Sequence, residues 1–201
     1  MMPPMKTGLL ALSLSLALRP AVAAQTGARE PRHECFRGRP QPACDQFWIT
    51  EFSPLMRINR LPKGEYLRFP YFMRWELGSM ENYGPRSAAG VTLVAELDDF
   101  GSRLGFKPRY RRWLGPATAL DLSAGVLFKG SGRFRAPGFV AQAAITGGDY
   151  VGFVTQLEYF RTDQGRRDLG AYAGVRFGAV PGIIAGLVLP VLIIASSIPR
   201  T

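Results

Sequence analysis

The chain has 201 residues, 47% of them hydrophobic and 20% charged, with a formal net charge of +10. That apolar content excludes a disordered chain, and the length allows one domain with a sizeable core. The single histidine, His33, rules out a multi-histidine metal site, and its place in a polar lead-in, away from the patterned chain, leaves no Ser-His-Asp or Cys-His arrangement available, so no cofactor is expected.

Residues 1–23 read as a signal peptide. Lys6 supplies the positive start, Leu9 to Leu18 the apolar core, and Ala21-Val22-Ala23 the small-x-small cleavage pattern. Export changes the meaning of Cys35 and Cys44: in an oxidising compartment an isolated pair reads as a disulfide. It would clip a polar, proline-containing lead-in over residues 24–46. Export also turns the basic charge away from nucleic acid and towards anionic head groups of membrane lipid, lipopolysaccharide phosphates or acidic polymers as the expected partners.

From Phe47 the apolar period becomes two, the mark of strands. Phe47 to Phe52 is a first strand. In Leu67 to Leu77 the residues Leu67, Phe69, Tyr71, Met73, Trp75 and Leu77 oppose Arg68, Pro70, Phe72, Arg74 and Glu76. Similar alternation recurs around Val91–Asp98, Leu104–Trp113, Leu120–Phe128, Phe139–Thr146, Val151–Tyr159 and Leu169–Phe177. Turn residues separate these stretches: Gly84-Pro85, Gly115-Pro116, Gly130-Ser131-Gly132, Gly147-Gly148-Asp149 and Asp163-Gln164-Gly165. The expected fold is mainly β, an antiparallel meander of about eight strands forming a barrel or barrel-like sheet over residues 47–178, followed by a C-terminal hydrophobic helix.

Alternation does not say which face is inside. If the apolar faces meet lipid, Arg68, Arg74, Arg109, Arg111 and Arg176 can pair with Glu76, Glu96, Asp121 and Glu158 in a narrow lumen. If they face inward, Phe69, Tyr71, Trp75, Phe153 and Tyr159 line a pocket for a small apolar ligand, in a barrel tethered by its C-terminal helix. A carboxylate pair drawn from Glu76, Glu96 and Glu158 is the nearest approach to catalytic chemistry. The alternating faces from Phe47 to Phe177 resemble, at the level of class, small eight-stranded bacterial outer-membrane barrels. Such barrels usually end on a strand with a terminal aromatic residue, whereas this chain ends Ile198-Pro199-Arg200-Thr201. No family motif accompanies the resemblance, so it implies no functional residues. The first reading is therefore a non-catalytic envelope membrane protein with a structural or lipid-contact role, in the outer membrane or anchored in the inner membrane and facing the periplasm.

A meander places alternate links at the same end. Arg57, Arg60, Lys63, Arg133, Arg135, Arg166 and Arg167 then form a basic rim for anionic head groups, with Arg103 in one of the same links. The opposite end holds Glu81, Arg86 and Asp149.

The run from Ala179 to Ile198 carries no charge and matches the roughly 20 residues of a spanning helix. Its Leu, Ile and Val residues favour insertion by about 0.3–0.6 kcal/mol each. Three arrangements are open: a membrane anchor, a helix packed against or inside the barrel, or two strands broken at Pro190. Gly178, Gly182 and Gly186 recur every four residues, a small-residue stripe for close helix packing and for self-association of the chain.

Overall fold

The computed structural model describes residues 33–59, 71–98, 101–131, 134–162 and 165–197. The signal-peptide segment, residues 1–23, lies outside them. A two-residue strand β1 (Glu34–Cys35) precedes eight long strands: β2 (Gln46–Arg57), β3 (Tyr71–Asn82), β4 (Ser87–Asp98), β5 (Gly101–Trp113), β6 (Thr118–Gly130), β7 (Phe134–Gly147), β8 (Val151–Thr162) and β9 (Arg167–Phe177). The helix α1 (Ala179–Ser197) follows. Each of β2 to β9 pairs antiparallel with the next, and β9 pairs back onto β2, closing an eight-stranded barrel. Closure satisfies the ladder groups that an open sheet would leave bare.

The alternation read from the sequence is realised, over longer strands. β2 runs on through Pro54 to Arg57, and β3 continues past Leu77 to Asn82. The faces are now assigned. Odd positions of β2 (Phe47, Ile49, Glu51, Ser53, Leu55) are buried, while Trp48 and Met56 on the other side are exposed. In β5 Arg103, Lys107, Arg109 and Arg111 are buried and Leu104, Phe106 and Tyr110 are exposed. The charged face is the inside. This overturns the apolar-pocket arrangement: Phe153 stands 59% exposed on the outer wall, Trp75 and Tyr159 share the outward parity of their strands, and Phe69 and the Tyr71 side chain lie outside the described set.

The interior of an eight-stranded barrel is just wide enough to be filled by side chains. Here long cations fill it, and glycines make room for some of them. A Cβ on Gly125 would meet Lys107 and the Phe106 carbonyl, and one on Gly38 would meet the Arg111 guanidinium.

The β2–β9 seam is the shortest junction. It runs only from Phe52 opposite Phe177 to Arg57 opposite Tyr172, whereas β2 pairs with β3 from Gln46 to Met56. Two other elements cover the remaining edge of β2. β1 lies parallel to it, Glu34 beside Gln46 and Cys35 beside Phe47. The start of α1 covers the rest: Thr50 Oγ1 donates to the Ala179 carbonyl at 3.3 Å.

The apolar run is thus a continuous helix through Pro190, which rules out a pair of strands. Pro181 sits in its first turn, where no backbone N–H is needed. Among the described residues, no helix is long and apolar enough to cross a membrane, a statement that does not extend to the strands. α1 packs instead on the outer face of β2, with Phe52 fully buried beneath it although its neighbours Trp48 and Met56 on that face are exposed.

Candidate functional site: a charged lumen and an apolar wall

Six cations and six carboxylates are buried among the described residues: Arg74, Arg103, Lys107, Arg109, Arg111 and Arg176 against Glu51, Glu76, Glu96, Asp121, Asp149 and Glu158. They form three stacked groups. Nearest the end where β2 begins, Asp121 is the hub. Its carboxylate accepts from Arg111 Nε at 2.6 Å and from Arg109 Nη2 at 2.8 Å, and it also receives Arg176. Arg109 completes a bidentate fork on Glu51 at 2.7 and 2.8 Å.

In the middle, Glu76 accepts from Lys107 Nζ at 2.7 Å and lies 3.0 Å from Arg74 Nε. Lys107 also donates to Gln142. Towards the far mouth, Arg103 Nη1 meets Glu158 at 2.5 Å and Arg103 Nε meets Glu96 at 3.2 Å, while Gln156 bridges the same two carboxylates. Placed in low dielectric, such charges persist only when each is paired.

Aromatic rings close both ends of the network. The Arg111 guanidinium lies over Phe47 and Trp113, 5.1 and 5.0 Å from the ring centroids. At the far mouth Arg103 lies over Phe72 at 5.1 Å and Phe160 at 5.4 Å, and Phe72 stacks on Tyr172. Phe47 and Trp113 belong to an apolar plug at the Arg111 end, packed with Ile49, Met80, Ala88 and Ala119.

The lead-in caps that plug. The cysteine sulfurs reach bonding distance, with Cα atoms 5.9 Å apart. Asn82 Nδ2 donates to the Arg39 and Cys44 carbonyls at 2.7 and 2.8 Å, and Asn82 Oδ1 accepts from Trp113 Nε1 at 2.9 Å. The Gly38 N–H donates to Asp149, whose other oxygen pairs with Arg111 at 2.8 Å. Arg37 donates to the Tyr150 hydroxyl. The lead-in is therefore wired to the charge network. Replacing Cys35 and Cys44 with Ser should cost about 2.5 kcal/mol of loop-closure entropy. It should also make the segment around Gly38 cleavable by protease in the otherwise folded protein, as fragment mapping would show; equal resistance with and without the bridge would mean the hydrogen bonds alone hold the cap.

The basic rim expected at the far mouth is only partly in view. Arg57 is committed to Asp168, with two contacts at 2.8 and 2.9 Å. Arg166 and Arg167 are exposed. Arg60, Lys63 and Arg133 and the side chain of Arg135 lie outside the described set. Arg103, placed in a link by the sequence reading, belongs to β5 and points into the lumen.

The glycine stripe faces the chain's own barrel. A Cβ on Gly182 would run into the Thr50 and Phe177 carbonyls, one on Gly178 into Asp149, and one on Gly186 into Trp75. Trp75 Nε1 donates to the Gly186 carbonyl at 3.1 Å.

Of the three glutamates singled out for acid–base work, the fold brings Glu96 and Glu158 together on Arg103 and leaves Glu76 on Lys107. Among the described residues, no group of three or more His, Cys, Asp or Glu side chains is placed to hold a metal ion. Glu51 as a lumen acid and Asn82 as the clasp of the lead-in were missed by the sequence reading. Glu51 shares the parity of Phe47 and Ile49, the one signal that could have found it.

No protein-family model matches the sequence, and no curated protein does either. Solved structures similar to it include a chain from the de novo design of transmembrane β-barrels, at 8% identity and a TM-score of 0.36, covering 71% of this chain and 98% of that one. Another comes from a study of the mechanism behind the in-meso crystallization of membrane proteins, at 11% identity and a TM-score of 0.25, covering 65% and 83%.

Proposed function

We propose that this chain is a membrane-embedded β-barrel of the bacterial cell envelope, with a filled lumen and a structural, lipid-contacting role rather than a catalytic one. The observation that carries this reading is the inverted polarity of the barrel. Leu77, Leu93, Phe153, Leu157 and Leu169 stand 53–61% exposed on the outer wall, while Arg74, Lys107 and Glu158 are fully buried inside. In water each such half-exposed outer side chain forgoes about half of the roughly 1.5–3 kcal/mol that full burial gives, and a continuous band of them exceeds what soluble monomers expose. In hydrocarbon the same band is the favoured surface, and closed ladders meet the rule that backbone groups be satisfied internally.

The supporting features agree. Strands of 11–14 residues meet or exceed the roughly 9–11 needed to cross at a tilt. Trp48, Tyr83 and Tyr150 are exposed at the mouth capped by the lead-in, and Phe128 stands exposed towards the other, as interfacial girdles do. Seating α1 on the barrel wall also removes the conflict that a free apolar run would raise with delivery to the outer membrane. Each lumen carboxylate is tied to a cation, which favours a scaffold over acid–base chemistry.

The full chain is expected to fractionate with membranes and, unboiled, to migrate differently on a denaturing gel from the boiled sample. Recovery in the soluble fraction without detergent, with no shift on heating, would overturn the proposal.

A further inference from the structure

The outer wall is not smooth. From β4 round to β9 it holds a groove of about 970 Å³. Its floor is small, because Ala124, Ala141, Ala143 and Ala171 occupy outward positions. One end lies at Ala89 and Tyr110, near the mouth capped by the lead-in; the other reaches Ile58, just past β2 at the far mouth. Two arginines stand beside the first end. Arg112 is opposite Ser87, one outward position beyond the pair Ala89–Tyr110. Arg86 immediately precedes Ser87, and its carbonyl accepts from the Trp113 N–H at 2.9 Å. Both arginines are exposed, and neither forms an ion pair among the described residues. Tyr83 and Tyr110 flank them, 62% and 43% exposed.

We infer that this groove binds an anionic phospholipid of the surrounding bilayer, its phosphate on Arg86 and Arg112 and an acyl chain along the alanine floor. The inference rests on the membrane-barrel reading above. Guanidinium groups donate to phosphate oxygens with a match of shape as well as charge, and exposed cations at a bilayer surface favour anionic lipid. Net positive charge at one end of an otherwise apolar trough, two arginines against the single Glu81 opposite Ala89, is the complement of an amphiphile with a single anionic head. A second copy's exposed α1 is a poorer occupant, since its first turn carries no acid to meet the arginines.

The test uses the full chain in detergent, offered phosphatidylglycerol or phosphatidylcholine and read by native mass spectrometry. The wild type should retain phosphatidylglycerol in preference to phosphatidylcholine. The double substitution Arg86→Gln, Arg112→Gln should lower that retention by about 10-fold or more. Ala143→Trp, which fills the trough, should lower retention of both lipids without changing the heat-dependent gel shift. Equal retention of the two lipids by the wild type would overturn the inference. So would a phosphatidylglycerol preference that survives the double substitution, or one that disappears only with Arg166→Gln and Arg167→Gln. A protein that shows no gel shift fails the membrane-barrel reading itself; one that shifts without lipid preference fails this inference alone.

Discussion

Asp121→Ala should lower the stability of the barrel by about 3–5 kcal/mol, the cost of removing one partner from a buried ion pair. Arg109, Arg111 and Arg176 converge on this carboxylate, and all three are buried. Without it they crowd around Glu51, which already holds the Arg109 fork. Urea unfolding of the full chain in lipid vesicles, followed by tryptophan fluorescence, measures the loss. The charge-balanced pair Asp121→Asn with Arg176→Gln should recover a large part of it, because one anion and one cation leave together; the double-mutant cycle isolates that coupling. A loss below about 1 kcal/mol for Asp121→Ala is the range of solvent-screened pairs. It would mean that the lumen is wet, and the ion pairs would no longer account for its order.

Gly182→Leu should cost about 3 kcal/mol, the upper part of the range for overpacking, because the obstacles are the Thr50 and Phe177 carbonyls rather than a side chain that can rotate away. The helix would lift from β2, and the edge between β1 and Phe52 would lose its cover. Trp75, whose indole donates to the Gly186 carbonyl, reports this directly: its fluorescence should become more quenchable by brominated lipid. Val180→Leu, on the exposed side of α1, should change neither stability nor quenching. Unchanged quenching in Gly182→Leu would show that α1 does not close the seam.

The strands themselves were legible in the sequence. Period-two alternation depends only on neighbours along the chain, so Arg74 and Glu76 against Trp75 and Leu77 could be sorted into two faces before any fold was known. The ends of strands were less legible. Gly101 to Arg103 reads as a link because Gly, Ser and Arg are turn-compatible, yet pairing of Asp98 with Gly101 and Leu97 with Ser102 carries β5 back to Gly101 and swings Arg103 inside. Alternation rightly places Arg112 in a strand, since β5 runs to Trp113, and for that reason keeps it out of any tally of loop charge. The helix was legible as an apolar segment, but not its seat, because a low-charge, glycine-spaced run fits a membrane anchor, a partner helix and a barrel wall equally well.

By itself, then, the sequence determined a mainly β meander of alternating faces, a cysteine pair within reach of one another, and a terminal apolar segment, all of them properties of short stretches. Only the tertiary structure decided that the charged face is the inside. That choice follows from closure, which joins Arg57 to Tyr172 across the seam and gathers acids from β2, β3, β4, β6 and β8 and cations from β3, β5 and β9 around one narrow axis. Charge pairing across that axis is a long-range property with no period along the chain, and neither the seat of the helix on β2 nor the arginine-ended groove could be read without it.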